Sequence, residues 1–177
     1  MMKSKEVAIA SIIASLYAIA VIALPSISFL LFQVRVADSL IPLSMILGWP
    51  AILGVTIGCF VANFFAPWEH PLLVAIDSLF GSLANLTAGY LSWRLYKGIR
   101  TKANEGLALQ LGCLLENITI TLIVGTYLKY LLEAAFGVRI PILVSWFGVL
   151  MGSLISINLL GYSIALAVNR ALFPKHR

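Results

Sequence analysis

The sequence predicts an all-α integral membrane protein, a compact bundle of six transmembrane helices, and two observations carry that expectation. Of 177 residues, 61% are apolar and 11% charged, with a mean hydropathy of +1.01, whereas about 25% of a typical soluble domain is charged. The apolar residues fall into six runs separated by short polar or Pro/Gly breaks, and a bilayer span needs about 20 of them in succession. A single membrane domain over residues 1–177 is expected to hold all six.

The runs justify themselves in order. Val7–Leu24 starts after Lys3 and Lys5 and stops at Pro25 without a small-residue cleavage pattern, which reads as a retained helix and not a signal peptide. Val34–Leu47 is shorter and is broken by Gly48-Trp49-Pro50. Ala51–Phe65 follows, closed by the stretch from Ala66 to Pro71, and Leu72–Tyr96 leads into the polar run Lys97–Glu105. Gly106–Phe136 is too long for a straight span and is expected to tilt or to continue outside the membrane. Ile142–Leu172 is the last, before Pro174-Lys175-His176-Arg177.

Small residues recur four apart: Ala10, Ala14 and Ala18 in the first run, Gly54 and Gly58 in the third, Gly148 and Gly152 in the sixth. Such pairs let helix backbones approach closely. They serve packing within the bundle or, for the alanines, docking of another membrane protein, and spacing leaves both open.

Basic residues orient the bundle. Lys3, Lys5, Arg94, Lys97, Arg100, Lys102, Arg170, Lys175 and Arg177 fall at the two termini and the fourth-to-fifth connection, which an even number of spans separates. The opposite side receives Arg35, Lys129 and Arg139. The positive-inside rule then places both termini in the cytoplasm of a multi-pass protein of the cell membrane. The +5 net charge is thus a topology signal, and a nucleic-acid partner is not expected.

Polar groups inside the runs are few. Arg35 and Asp38 stand three apart in Gln33–Pro42, on one face if the run is helical, where they can pair with each other or address a ligand together. The competing reading is an ion pair at the membrane edge that helps Arg35 snorkel to the headgroups. Asp77 and Asn85 lie in the fourth run, Glu116 and Asn117 in the fifth, Asn63 at the end of the third and Asn158 in the sixth. Three carboxylates with one nearby cation favour a cavity holding water or a polar ligand over a closed ion pair. Glu116 reads equally as a neutral acid bonded to a neighbouring helix, and Asn63 and Asn158 as bridges between helices. Trp68 and Trp146 are expected in the interfacial aromatic belt, with stacking on a planar ligand as the alternative.

Motifs of enzymes are missing: there is no His-Glu-x-x-His, no glycine-rich phosphate loop and no nucleophile elbow. Cys59 and Cys113 sit within apolar runs and suggest neither a disulfide nor a metal site. No cofactor is expected, and no ATP-binding site is present to drive transport unaided.

Six short helices, an alanine face on the first, and three stretches of sequence together resemble the substrate-binding S components of energy-coupling factor transporters, and in particular the QueT branch. The stretches are Val34-Arg35-Val36-Ala37-Asp38-Ser39-Leu40, then Pro50–Gly54 continuing to Ile57–Asn63, and Asp77-Ser78-Leu79-Phe80-Gly81-Ser82-Leu83-Ala84, with Asn117 and Gly125 in the fifth helix. Three positions depart from the branch: Asp38 stands where Glu is usual, Gly152-Ser153 where Gly-Glu is usual, and Glu116 has no counterpart, as though a buried charge had moved from the sixth helix to the fifth.

The resemblance implies uptake of a queuosine precursor, a deazaguanine, or a similar planar heterocycle. It implies a ligand site among Arg35, Asp38, Asp77, Asn85, Glu116 and Asn117, closed by the first-to-second and third-to-fourth loops. It also implies docking through Ala10, Ala14 and Ala18 onto a transmembrane coupling protein served by two cytoplasmic ATPases. The departures leave open an S component for a different vitamin-like solute. A structural or assembly membrane protein, whose polar groups only hold helices together, is the reading from another class.

Overall fold

A computed structural model describes residues 3–29, 33–101 and 103–173. Lys102, Lys175 and Arg177, used above for orientation, lie outside the described residues. Helices fill each expected run: α1 Ser4–Ala23, α2 Val36–Leu47, α3 Trp49–Asn63, α4 Pro71–Ile99, α5 Glu105–Phe136 and α6 Ile142–Leu172. The protein is an all-α membrane bundle. Four helices, α1, α4, α5 and α6, are long and apolar enough to cross a membrane, while α2 and α3 are shorter.

Local chemistry fixes the helix ends. Glu6 in the first turn of α1 accepts from the Lys3 backbone N–H at 2.8 Å. At the start of α4, Pro71 takes the first-turn place where a missing N–H does no harm, and His70 Nδ1 accepts from Leu72 N–H at 3.2 Å. Asn104 caps α5 by accepting from Gly106 N–H at 2.9 Å. Gly137 ends it with φ +69°, the left-handed conformation a glycine adopts without strain. Gly48, with φ +66°, turns α2 into α3 and sits against the Trp93 indole.

α2 is not a regular helix. Val36–Leu40 is a 3₁₀ turn and Leu43–Leu47 an α-helical one, joined at Ile41 and Pro42. α6 is likewise irregular, with the π-helical stretch Leu154–Gly161 between two α-helical parts. The two irregular segments lie against each other. Glycines at both ends of the π stretch make room: a Cβ on Gly161 would stand 2.8 Å from Pro42 Cγ and 3.0 Å from the Ser39 carbonyl, and Gly152 backs onto the Gln33 carbonyl.

The alanine and glycine spacings of α1 and α3 meet in one seam. A Cβ on Gly54 would stand 2.9 Å from the Ala10 carbonyl, and one on Gly58 2.7 Å from the Ala14 carbonyl and 3.0 Å from Ala14 Cα. Ala10 is therefore buried against α3, and Ala14 and Ala18 are half-buried. The motif serves packing inside the bundle at Ala10 and Ala14. Gly58→Val should wedge the seam open and cost about 1–3 kcal/mol, the usual scale of overpacking. A lowered melting temperature of the detergent-purified protein checks this, and Ile57→Val, on the lipid-facing side of the same helix, should leave that temperature unchanged.

Candidate functional site

Helix ends and connections opposite the termini surround a cavity of about 750 Å³, lined by Pro25, Ser26, Phe29, Pro67, Trp68, Leu132, Phe136, Val138 and Ile140. Its volume suits a small organic ligand. The wall after α5 is held in place because Glu133 accepts from Ile140 N–H at 2.8 Å and pairs with Lys129 at 2.8 Å. Phe29 and Trp68 meet edge to face, centroids 6.4 Å apart, and separate the cavity from a buried polar cluster.

That cluster is built on two carboxylates. Asp77, one turn and a half into α4, is 1% exposed and has both oxygens engaged. Trp68 Nε1 donates to Oδ2 at 2.7 Å and the Tyr127 hydroxyl to Oδ1 at 2.8 Å, while Asn63 Nδ2 donates to the Asp77 carbonyl at 2.9 Å. Asp38 receives the Tyr17 hydroxyl at 2.5 Å. Neutral donors thus engage both oxygens of Asp77 and one of Asp38, in a setting where an isolated charge is costly.

Arg35 forms no ion pair with Asp38, one of the two readings the sequence leaves open for them. Among the described residues the one salt bridge is Lys129–Glu133. The 3₁₀ winding of Val36–Leu40 leaves Arg35 as the residue ahead of the turn, and Asp38 turns to α1 instead. Its guanidinium lies over the Phe29 ring, 5.2 Å from the centroid, with Nη1 3.6 Å from Cys59 Sγ. Asp38 and Asp77 act on it electrostatically from further off. At 3% exposure Arg35 does not snorkel.

Trp68 also departs from the sequence expectation. It is 6% exposed, held by its bond to Asp77, and does not belong to an interfacial belt. Of the partners that complete the cluster, Tyr17, Phe29 and Tyr127 are not singled out by the sequence, and Cys59 stands out there only as a cysteine in an apolar run. A signal for two of them existed: Tyr17 and Tyr127 are phenols within otherwise apolar helix stretches, and a buried hydroxyl needs a partner.

Three other predicted site residues lie elsewhere. Asn85 is buried and donates to the Val55 carbonyl at 3.3 Å, a bridge between α4 and α3. Asn117 donates to Asn158 Oδ1 at 2.8 Å and accepts from Thr121 at 3.2 Å, tying α5 to the π stretch of α6. Glu116 is fully buried and accepts from Ser92 on α4 at 2.6 Å. Asn117, its neighbour, is the residue that bonds to α6. Asn63 and Asn158 are bridges, as expected.

With this geometry in place, the family model described as QueT transporter matches residues 7–170. The chain belongs to the QueT transporter family. No curated protein and no solved structure matches it. The class implied by the resemblance therefore stands: this QueT family member is a membrane transport subunit of the S-component kind, working with an energy-coupling module on a substrate.

Trp68→Phe and Tyr127→Phe each remove one donor from Asp77 while keeping a ring in place. Each should destabilise by about 1–3 kcal/mol, the penalty for an acceptor left unpaired. Their combined effect should differ from the sum by at least about 0.5 kcal/mol, because both bonds end on one carboxylate. Thermal melts of the two single variants and the double variant measure this.

Proposed function

We propose that this QueT family member binds a queuosine precursor, a deazaguanine or a similar planar heterocycle, and delivers it across the cell membrane as the S component of an energy-coupling factor transporter. The observation that carries the reading is an aromatic-walled cavity whose Trp68 is bonded to buried Asp77 and whose Phe29 stacks on buried Arg35, with buried Asp38 three residues on from Arg35. An aromatic ring offers a face for stacking a planar ligand. A carboxylate behind it accepts two parallel N–H bonds from an amidine-like edge, the geometry that makes such recognition specific.

The ligand's N–H edge takes over donors now supplied by Trp68, Tyr127 and Tyr17, so binding exchanges bonds at the acids without leaving them bare. Arg35 supports the same acids at longer range. Asn85, Glu116 and Asn117 act at a distance from the ligand, by holding α3, α4, α5 and α6 together. Both termini face the cytoplasm. The partner is a transmembrane coupling protein powered by two cytoplasmic ATPases, and it docks on α1 beside Ala14 and Ala18, which keep part of their surface outside the bundle.

Asp77→Asn and Asp38→Asn are expected to weaken ligand binding at least tenfold, since a bond to a charged acceptor is worth about 1.5–3 kcal/mol. Titration of the purified protein with deazaguanines, followed by the rise in melting temperature, tests both. Unchanged affinity in a folded Asp77→Asn protein would remove Asp77 from the site. A melting shift with another water-soluble vitamin and none with deazaguanines would keep the transporter class and replace the ligand.

A further inference from the structure

We propose that the end of the bundle opposite the ligand cavity holds the phosphodiester headgroup of an anionic membrane phospholipid, between Arg100 and Arg170. The inference rests on the membrane bundle alone and is independent of which ligand the protein transports.

Two open cavities, of about 680 and about 450 Å³, adjoin at that end and share Asn104, Glu105 and Phe173. They lie where the end of α4, the start of α5 and the last turns of α6 meet. Arg170, in the last turn of α6, lines the larger cavity, and Arg100, the first residue past α4, lines the smaller. Both arginines are exposed, and neither forms a salt bridge with a described residue. Glu105 is the one acid lining either cavity among the described residues, and α6 holds it through the Asn169 amide. Two guanidinium groups against one carboxylate leave a single positive charge, the complement of a phosphodiester.

Aromatic rings mark the level in the membrane. Trp49, Tyr90 and Trp93 cluster with centroids 5.9 to 6.1 Å apart, and Lys97 Nζ lies 4.0 Å from the centre of the Trp93 ring. Such rings gather at the boundary between acyl chains and headgroups. From Trp93 to Arg100 the chain advances about 10 Å at the helical rise, which carries the guanidinium to headgroup depth. Apolar surface runs back towards the acyl chains: Leu107 and Phe173 are largely exposed, and Leu166 lines the larger cavity half-buried. A guanidinium offers a phosphate a planar fork of donors, and basic pockets between transmembrane helices recognise lipid headgroups in this way. A choline or ethanolamine headgroup brings its own ammonium against the same arginines, so the site selects a lipid without one. Bound there, the lipid ties the connection between α4 and α5 to the end of α6.

The test is competition for the detergent-purified protein between phosphatidylglycerol and phosphatidylcholine of identical chains, read by native mass spectrometry. A basic residue near an anionic lipid surface contributes a factor of about five. Phosphatidylglycerol is therefore expected to bind at least tenfold over phosphatidylcholine, and Arg100→Gln combined with Arg170→Gln to bring the ratio below threefold. Each single variant should cut the ratio about fivefold, which decides the matter if the double variant does not fold. Arg94→Gln, at the same end but outside both cavities, should leave the ratio unchanged. A wild-type ratio below threefold overturns the proposal. So does an equal loss in Arg94→Gln, which makes the preference one of diffuse surface charge. Displacement of the lipid by an equal concentration of inorganic phosphate overturns it in favour of a free anion. A double variant that keeps the lipid preference but loses assembly with the coupling protein overturns it in favour of a protein contact.

Discussion

Asp77 is the point on which the bundle's cavity end depends. An acid at 1% exposure among apolar helices must be bonded on every side, and its partners come from three separate places: Asn63 closing α3, Trp68 in the connection, Tyr127 on α5. One carboxyl group and its own backbone carbonyl therefore fix the relative positions of α3, α4, α5 and the loop that forms a cavity wall. A hydrophobic side chain in its place could fill the volume but could not specify those directions.

The same demand recurs along α2. Asp38 draws on Tyr17, which locks α2 to α1, and α1 is in turn seated on α3 through the Ala10, Ala14, Gly54 and Gly58 seam. Deeper in the bundle, Ser92 meets Glu116 and Asn117 meets Asn158, so α4 to α5 and α5 to α6 each gain a polar tie. Interhelical bonds between polar side chains in lipid are worth about 0.6–2 kcal/mol each. Their role is as much to set rotation about each helix axis as to add stability. Buried polar atoms on Gln33, Arg35, Asn63 and Glu116 stay without a hydrogen-bond partner, and of these Arg35 stacks on Phe29, a wall of the cavity.

Much of the fold was legible in the sequence, because lipid imposes a simple rule on composition and length. All six apolar runs hold helices, with boundaries that agree to within a few residues, and Gly48-Trp49-Pro50 does separate α2 from α3. What sequence could not give was winding. Arg35 and Asp38 share a face only if both are wound into the helix, and Arg35 is extended backbone ahead of the 3₁₀ turn. The site was legible in part. Asp38 and Asp77 stood out because charge is rare in such a chain, whereas Tyr17 and Tyr127 are counted among the apolar residues and hide in any hydropathy reading, and Trp68 stood out as an aromatic ring but not as a partner of Asp77. Whether Glu116 faced a ligand or another helix depended on which side of α5 it occupied; its Oε1 accepts from Ser92 on α4, and its Oε2 is buried without a hydrogen-bond partner.

The unequal lengths of the helices have a consequence for the lipid. At 1.5 Å per residue, the 15 residues of α3 extend about 22 Å, less than the ~30 Å hydrocarbon thickness of a bilayer, while the 32 residues of α5 extend about 48 Å. The α3 side meets lipid directly through Ile57, Val61, Phe64 and Phe65. The apolar girdle around the protein is thus low on one flank and tall on another. Acyl chains must shorten beside α3, or the whole bundle must lean towards it, and either response makes the protein's posture depend on membrane thickness.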